Sequence, residues 1–275
     1  MQATDLPDLR ALADGLPRAP GVYVFHGVSK TLPLYIGKSV NIRSRVLAHL
    51  RNPDEVAMLR QTVRIDHTRT AGDIGAQLLE AQLIKAQQPL FNQRLRRNRQ
   101  LCSWQMNAGG PPSLVFAKDI DFAHTPHLYG LYGSRHAAIE ALRSLATQHN
   151  LCEVVLGLEQ APRGRGCFQH SLRRCLGACC GGEPLEEHQH RTQAALDHLR
   201  VLCWPHPGAL GLVERWPGPD PIEHIHVVRN WCYLGSVQHP GEAHTLARTA
   251  TAFDADGYKI LCRPLLEGRV EVMAL

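Results

Sequence analysis

The 275-residue sequence contains no run of about 18 apolar residues, so a membrane-spanning helix is not expected. Its opening, MQATDLPDLRALADGLPRAP, has no basic stretch followed by an apolar core, which argues against a secretory signal and for a cytoplasmic location. Tandem repeats and long low-complexity segments are missing. So are the phosphate-cradling G-x-x-x-x-G-K-[ST] loop and the dinucleotide-binding G-x-G-x-x-G pattern, which excludes nucleotide chemistry of those two kinds. Aromatic residues make up only 6% of the chain, while 44% hydrophobic and 20% charged residues are ordinary for a globular protein with room for one large domain or two to three small ones.

Charge and cysteine are what the sequence does have, and both are unevenly spread. Residues 1–100 carry fifteen Lys/Arg against eight Asp/Glu, a net +7, whereas the remainder carries fifteen against seventeen, a net −2. A basic first third points to a polyanion partner or to an ordinary solvated face. Nine cysteines without a secretory signal make a disulfide framework unexpected, so clustered thiols point to a metal or a cluster.

The first third reads as α/β. Short strand-like runs at 21–25 and 32–37 precede a helical stripe of Ile42, Val46 and Leu50, opened by Asn41 or Ser39. Residues 62–70 suit a third strand, and 73–88 form a strong helix stopped by Pro89. A turn and amphipathic helix are expected over 125–150, a polar helix over 184–202, and strands around a turn within 222–237 before a helix at 241–250. HIH (224–226) alternates as a strand does. FDADG (253–257) resembles the start of a calcium loop, but position twelve from Asp254 is Leu265 rather than Glu, so a turn or helix cap is expected. Trp204, Trp216 and Trp231 suggest a small core, and Cys102, Cys203, Cys232 and Cys262 read as isolated core thiols.

Glu80 breaks the pattern of its helix. It stands four residues from Ala76 and from Ile84 and three from Leu83, inside the apolar stripe. A carboxylate there needs either an arginine partner or a bound cation.

In order and spacing, GVY (21–23), YIG (35–37), Lys38, Arg45, His49, Glu80 and Asn92 resemble the GIY-YIG nuclease domain, in the version carried by UvrC-type excision-repair endonucleases. The resemblance implies a small three-stranded sheet flanked by helices, cutting DNA phosphodiesters with one divalent cation, Mg2+ or Mn2+. Phosphodiester hydrolysis needs an activated water, a cation on the phosphate and help for the leaving oxygen. Glu80 then holds the metal, and Arg45 forks onto the phosphate. Tyr35 is expected to act as general base, with Lys38 lowering its pKa, and Tyr23 to orient the water or the metal's shell. The resemblance leaves open which tyrosine acts. His49 donates to phosphate, shuttles a proton or simply packs; Asn92 fixes nearby backbone; Gly37 makes a tight turn beside phosphate. Arg43, Arg94, Arg96 and Arg97 are candidate DNA contacts, although Arg43 is equally a surface charge.

A second constellation lies at Cys152, Cys167, Cys175 and Cys179, spaced C-x14-C-x7-C-x3-C, with Cys180 as a surplus thiol. Four thiolates from one irregular segment suit zinc or an iron–sulfur cube. In UvrC-type proteins a segment with the same closing R-C-x-x-x-C is associated with a [4Fe–4S] cluster, and that resemblance favours the cluster over Zn2+. Arg163, Arg165, Arg173 and Arg174 beside it either bind DNA backbone or offset the cluster's charge.

The expected organisation is α+β throughout: a nuclease domain over 1–100, a cysteine-rich connector over 101–183 and a small C-terminal α+β domain over 184–275. The resemblance runs from about residue 15 onward, and the chain is too short for the second nuclease and helix-hairpin-helix modules of longer family members. It implies one incision, on the 3′ side of a bulky lesion, in damaged double-stranded DNA already loaded with UvrB, with the UvrB contact within 184–275. A homing-type or structure-selective endonuclease working without UvrB is the alternative. A module that has lost catalysis is disfavoured, because Tyr23, Tyr35, Lys38, Arg45 and Glu80 are all present.

Overall fold

The computed structural model describes residues 9–29, 31–92, 101–107, 109–160, 166–249 and 251–275. Arg94, Arg96, Arg97, Arg163 and Arg165 lie outside the described residues. Two compact units emerge, one from the described residues within Met1–Arg97 and His206–Leu275, the other from those within Asn98–Pro205.

In the first unit, β1 (Gly21–His26) is the middle strand of an antiparallel sheet, between β2 (Pro33–Ser39) and β3 (Arg64–Arg69). Because strand side chains alternate, Tyr23 and Phe25 face one layer and Val22 the other. The first layer buries them with Ala13 of α1 (Leu9–Asp14) and Ile42 and Val46 of α2 (Ile42–His49), and Met58 of α3 (Val56–Leu59) closes it. The second buries Val22 and Ile36 against Ile84 of α4 (Asp73–Gln87). Asn41 caps α2, its side chain accepting from Ser44 N. Left-handed Gln88, just before Pro89, ends α4.

The second unit builds a sheet from β4 (Cys102–Gln105), β5 (Ser113–Phe116), β6 (Leu128–Tyr132) and β7 (Arg200–Val201), in the order β5-β4-β6-β7. α5 (Arg135–Gln148) packs Ala138, Leu142 and Leu145 on Trp104 and Tyr129. The short α6 (Phe168–Ser171) lies in the cysteine segment, and α7 (Leu185–Leu196) follows it. The expected boundary at 183/184 is not where the chain divides. Ala195 and Leu196 of α7 enter the core built around Trp104, Arg191 bonds Glu183 (2.5 Å) and the backbone carbonyl of Asn150, and β7 pairs with β6. An amphipathic helix goes where its apolar face is buried, and here that is the middle unit.

Residues 206–275 instead join the nuclease fold. β8 (Leu210–Trp216), β9 (Ile222–Arg229), β10 (Cys232–Val237) and β11 (Glu271–Ala274) form a sheet ordered β10-β9-β8-β11, with α8 (Pro240–Leu246) and α9 (Ala255–Leu266) beside it. Two polar clamps hold α4. Glu214 accepts from Ile74 N (3.1 Å) and Gly75 N (2.8 Å) at the helix N-terminus while bonding buried His226 at 2.9 Å. Lys85, near the other end, donates to Asp254 (2.5 Å) and Asp256 (2.8 Å). Asp254 also caps α9, accepting from Asp256 N and Gly257 N, which is the capping role expected of FDADG. Trp204 and Trp231 are buried as core residues and Trp216 only partly; Cys102 is fully buried, whereas Cys203, Cys232 and Cys262 are half-buried. Among the described residues no helix is long and apolar enough to cross a membrane.

Candidate active site

The β1–β2 ladder assembles the two tyrosines. Tyr23 pairs with Gly37 and Phe25 with Tyr35, so Tyr23 and Tyr35 are diagonal neighbours on one face, with ring centres 6.3 Å apart. Gly37 is therefore a strand residue and not the tight turn expected of it. Its need for glycine is steric: a Cβ there would stand 2.3 Å from the Tyr23 hydroxyl oxygen and 2.7 Å from the Tyr35 ring. Asn92 holds the outer edge of β2 like a missing strand, accepting from Ile36 N and donating to Ile36 O, each at 2.9 Å. That is the backbone-fixing place expected for it.

α2 contributes the next two side chains. One helical turn separates Arg45 from His49, so both reach the tyrosine face. The Arg45 guanidinium acts on the Tyr23 hydroxyl, opposing the rise that burial causes there. His49 is 3% exposed, with Nε2 2.7 Å from the Tyr23 hydroxyl and Nδ1 bonded to Glu55. Glu55 comes from a 3-10 turn, Pro53–Glu55, that the sequence reading passed over. The available signal was Asn52-Pro53: Asn52 caps the turn by accepting from Asp54 N. Arg43 is drawn off to Asp14 at 2.5 Å.

Glu80 projects from α4 toward β2, where Oε1 accepts from Lys38 N at 3.0 Å. No Lys or Arg forms an ion pair with it among the described residues, which leaves the arginine-partner alternative without a partner. Burial raises its pKa above the usual carboxylate range, countered by the Lys38 N–H and ammonium, with Asp73 pushing it further up. A half-buried carboxylate with one oxygen anchored and a second carboxylate nearby is the donor chemistry a hard divalent cation takes. Asp73, seven residues before Glu80 on the same helix face, was missed as a site residue.

Lys38 differs from expectation. Its ammonium pairs with Asp73 at 2.8 Å, and Asp73 is held from its other oxygen by Gln77 at 2.8 Å. The groups acting on Tyr35 are burial and Glu80, which raise its pKa, and Arg45. Burial raises Tyr23 as well. Both phenols stay protonated at neutral pH, and the Lys38 ammonium is paired with Asp73 and with neither hydroxyl.

In the middle unit, Cys152, Cys167 and Cys179 point their sulfurs to within 4.8 Å of one another, and Cys175 Sγ lies 3.5 Å from Cys167 Sγ. The Cys152–Cys167 sulfurs are 3.8 Å apart, and Cys167 N donates to Cys179 Sγ at 3.3 Å. Buried His188 of α7 accepts from Cys152 N at 2.9 Å, fixing the first thiol. Cys180 turns away, exposed, with its thiol on Gly177 O. Three convergent thiols, with Cys175 beside Cys167 and no carboxylate among them, fit a soft metal or an iron–sulfur centre.

Comparison with known proteins matches these parts one by one. Residues 19–93 match the UvrC-like GIY-YIG domain, 101–198 the UvrC/Cho excinuclease middle domain and 209–275 the excinuclease Cho C-terminal domain. Excinuclease Cho of Escherichia coli strain K12 is 56% identical over 267 residues, 97% of this chain and 89% of that protein. The Cho of Salmonella typhi is 55% identical, covering 97% and 90%. UvrABC system protein C of Nitratidesulfovibrio vulgaris is 32% identical over 74% of this chain and 29% of its own length. The crystal structure of the GIY-YIG N-terminal endonuclease domain of UvrC from Thermotoga maritima, bound to magnesium as its catalytic cation, shares 28% identity over 31% of this chain and 97% of that one, with a TM-score of 0.29. With a nuclease face, a four-thiol segment and a C-terminal sheet each matched in order along nearly its whole length, the chain belongs to the Cho branch of the UvrC-type excinucleases, GIY-YIG DNA endonucleases of nucleotide excision repair.

Proposed function

We propose that the protein is a cytoplasmic nuclease that makes the 3′-side incision near a bulky lesion in duplex DNA already loaded with UvrB. The observation that carries the nuclease part is Glu80: a half-buried carboxylate, pinned by Lys38 N, without an ionic partner among the described residues and within electrostatic reach of Tyr23, Tyr35 and Arg45. When bound there, Mg2+ or Mn2+ supplies positive charge for the scissile phosphate and the departing oxygen. Arg45 binds the phosphate and stabilises its equatorial charge. Tyr35 takes the proton of the attacking water, and Tyr23 fixes the direction of approach. Asp73 holds Lys38 so that its backbone N–H stays on Glu80. Arg43 contributes through the surface it shares with Asp14, and the 94–97 arginines are assigned to DNA backbone by charge alone.

The dependence on UvrB rests on kinship with named excinucleases. We assign the contact to the 184–275 region. Deleting that region is not a fair test, because it strips α7 from the middle unit and Glu214 and Asp254 from α4. The direct experiment is incision of an end-labelled duplex with one bulky adduct, with and without UvrB, in Mg2+ or in chelator, comparing the native chain with Glu80→Ala. Cutting 3′ to the adduct only with UvrB and metal, lost in Glu80→Ala, is the expected result. Cutting of undamaged DNA without UvrB would replace this reading with a structure-selective nuclease.

For the four thiols we propose a [4Fe–4S] cluster, supported by the all-thiol donor set and by the family likeness of the segment. Zinc is the second reading, favoured by sulfur spacings of 3.5 and 3.8 Å. A tetrahedral zinc with sulfurs at about 2.3 Å sets edges of about 3.8 Å. Anaerobic purification with metal analysis decides: a brown protein absorbing near ~400 nm with four irons per chain, as thiolate-bound iron–sulfur gives, against a colourless one with a single zinc.

A further inference from the structure

A phenol buried beyond easy ionisation is a poor base by itself, and the groups behind Tyr35 offer a way round this. The Tyr35 ring stands beside that of Tyr23 on the same face, their centres 6.3 Å apart, and the Tyr23 hydroxyl acts on that of Tyr35. The Tyr23 hydroxyl is 2.7 Å from His49 Nε2, and His49 Nδ1 is bonded to Glu55. The polarity of this chain is fixed from its far end. A carboxylate only accepts, so Nδ1 must carry the imidazole proton. Burial lowers the His49 pKa, so the ring is neutral and Nε2 is an acceptor. Tyr23 therefore donates to His49, which leaves its oxygen as an acceptor on the side of Tyr35 and Arg45. Tyr23 is 1% exposed and His49 3%, so water does not short-circuit the line, whereas the Glu55 side chain, at 28%, reaches solvent.

We infer that Tyr35 acts as a base by relay: as it takes a proton from the attacking water, its own proton moves to Tyr23 and that of Tyr23 to His49 Nε2, with Glu55 as the positioning residue that sets the imidazole tautomer and stabilises the imidazolium. This rests on Tyr35 being the base. One water O–H bond breaks, its oxygen forms a bond to phosphorus, and the phosphorus bond to the leaving sugar oxygen breaks. That oxygen takes a proton from solvent water. When product leaves, the Nε2 proton returns outward through the two phenols, so one water is consumed and no group is left changed. The arrangement uses the logic of a carboxylate–histidine pair with a phenol where a serine hydroxyl would stand. His49 is also shaped for the part: its ring is 5.4 Å from those of Tyr23 and Tyr35 and 5.6 Å from Phe25, a slot the size of one imidazole.

The test measures single-turnover incision by full-length Glu55→Gln, Glu55→Asp, His49→Ala and Tyr35→Phe, each first shown to be folded by thermal melting. Expected are a kcat about 10- to 100-fold lower in Glu55→Gln with KM for DNA unchanged, as when a group orienting a functional histidine is removed, and partial recovery in Glu55→Asp. Folded His49→Ala should cut poorly and be rescued by added imidazole entering the vacated slot. Native kcat in Glu55→Gln and His49→Ala, with Tyr35→Phe inactive, would overturn the relay and leave Tyr35 as base. His49→Ala that is folded, slow and blind to imidazole also overturns it. Native kcat in Tyr35→Phe would instead remove the base assignment itself.

Discussion

Gly37 shows how little room the reacting face leaves. The space a Cβ would need is already taken by the Tyr23 hydroxyl, 2.3 Å away, and by the Tyr35 ring. Gly37→Ala is expected to push one or both phenols aside at a cost of about 1–3 kcal/mol of stability, typical of overpacking. A displacement near 1 Å costs about 100-fold in rate, so cutting should fall further than stability does; melting and kcat on one preparation check both. Glu80→Gln is a different kind of loss. It keeps the side chain's size and the bond from Lys38 N but removes the charge, so cation binding by calorimetry should vanish while the melting temperature stays or rises, because a desolvated anion is gone. The odd position of Glu80 was legible from helical period alone. Glu55 was not, because its value lies in a turn that folds back on His49, and an acidic residue after Asn-Pro has no pattern to violate.

α4 carries Glu80 and is held at both ends by elements more than a hundred residues away in sequence. Glu214 takes two backbone N–H groups of the first turn, where the helix dipole favours a carboxylate, and His226 secures its other side. Although burial works against it, these partners hold the Glu214 carboxyl below its ordinary pKa. The sign follows: the folded state binds this proton less tightly than the unfolded chain, so the stabilisation is full above the unfolded value of about 4.3 and disappears as pH falls through the depressed folded value. Glu214→Gln should therefore lower stability by about 1–3 kcal/mol near pH 7, the cost of leaving a buried partner unsatisfied. The gap between variant and native urea midpoints should close as pH drops below about 4. The strands and helices of this unit were readable because period, caps and Pro89 are local signals. The clamps were not, since nothing in the run around Glu214 says which helix end it will meet. The same limit explains Lys38, read from its neighbour Tyr35 but paired with Asp73 across the sheet–helix interface.

Over the whole molecule, the division into two compact units predicts that damage to the thiol centre stays local. Cys152, Cys167, Cys175 and Ala178 form a small cluster of their own, joined to the middle unit through His188 and Arg191 of α7 and not through any nuclease side chain described above. Thiols gain little by packing alone: desolvation raises the pKa values of Cys167, Cys175 and Cys179, while at Cys152 hydrogen bonds outweigh burial and lower it. A bound metal centre displaces those protons, and its binding free energy becomes folding free energy of the segment. Removing one ligand in Cys175→Ser should therefore release the metal and destabilise the middle unit by at least about 3 kcal/mol, which for a unit of this size shifts its melting by roughly 10–20 °C. The nuclease unit should keep its own transition, turning one unfolding step into two. Cation binding at Glu80 should be unchanged by calorimetry, because none of its supports, Lys38, Asp73, Glu214 or Lys85, comes from the middle unit. If Cys175→Ser lost cation binding at Glu80 along with its metal, the units would be folding as one, and the thiol centre would have to be counted among the supports of the active site.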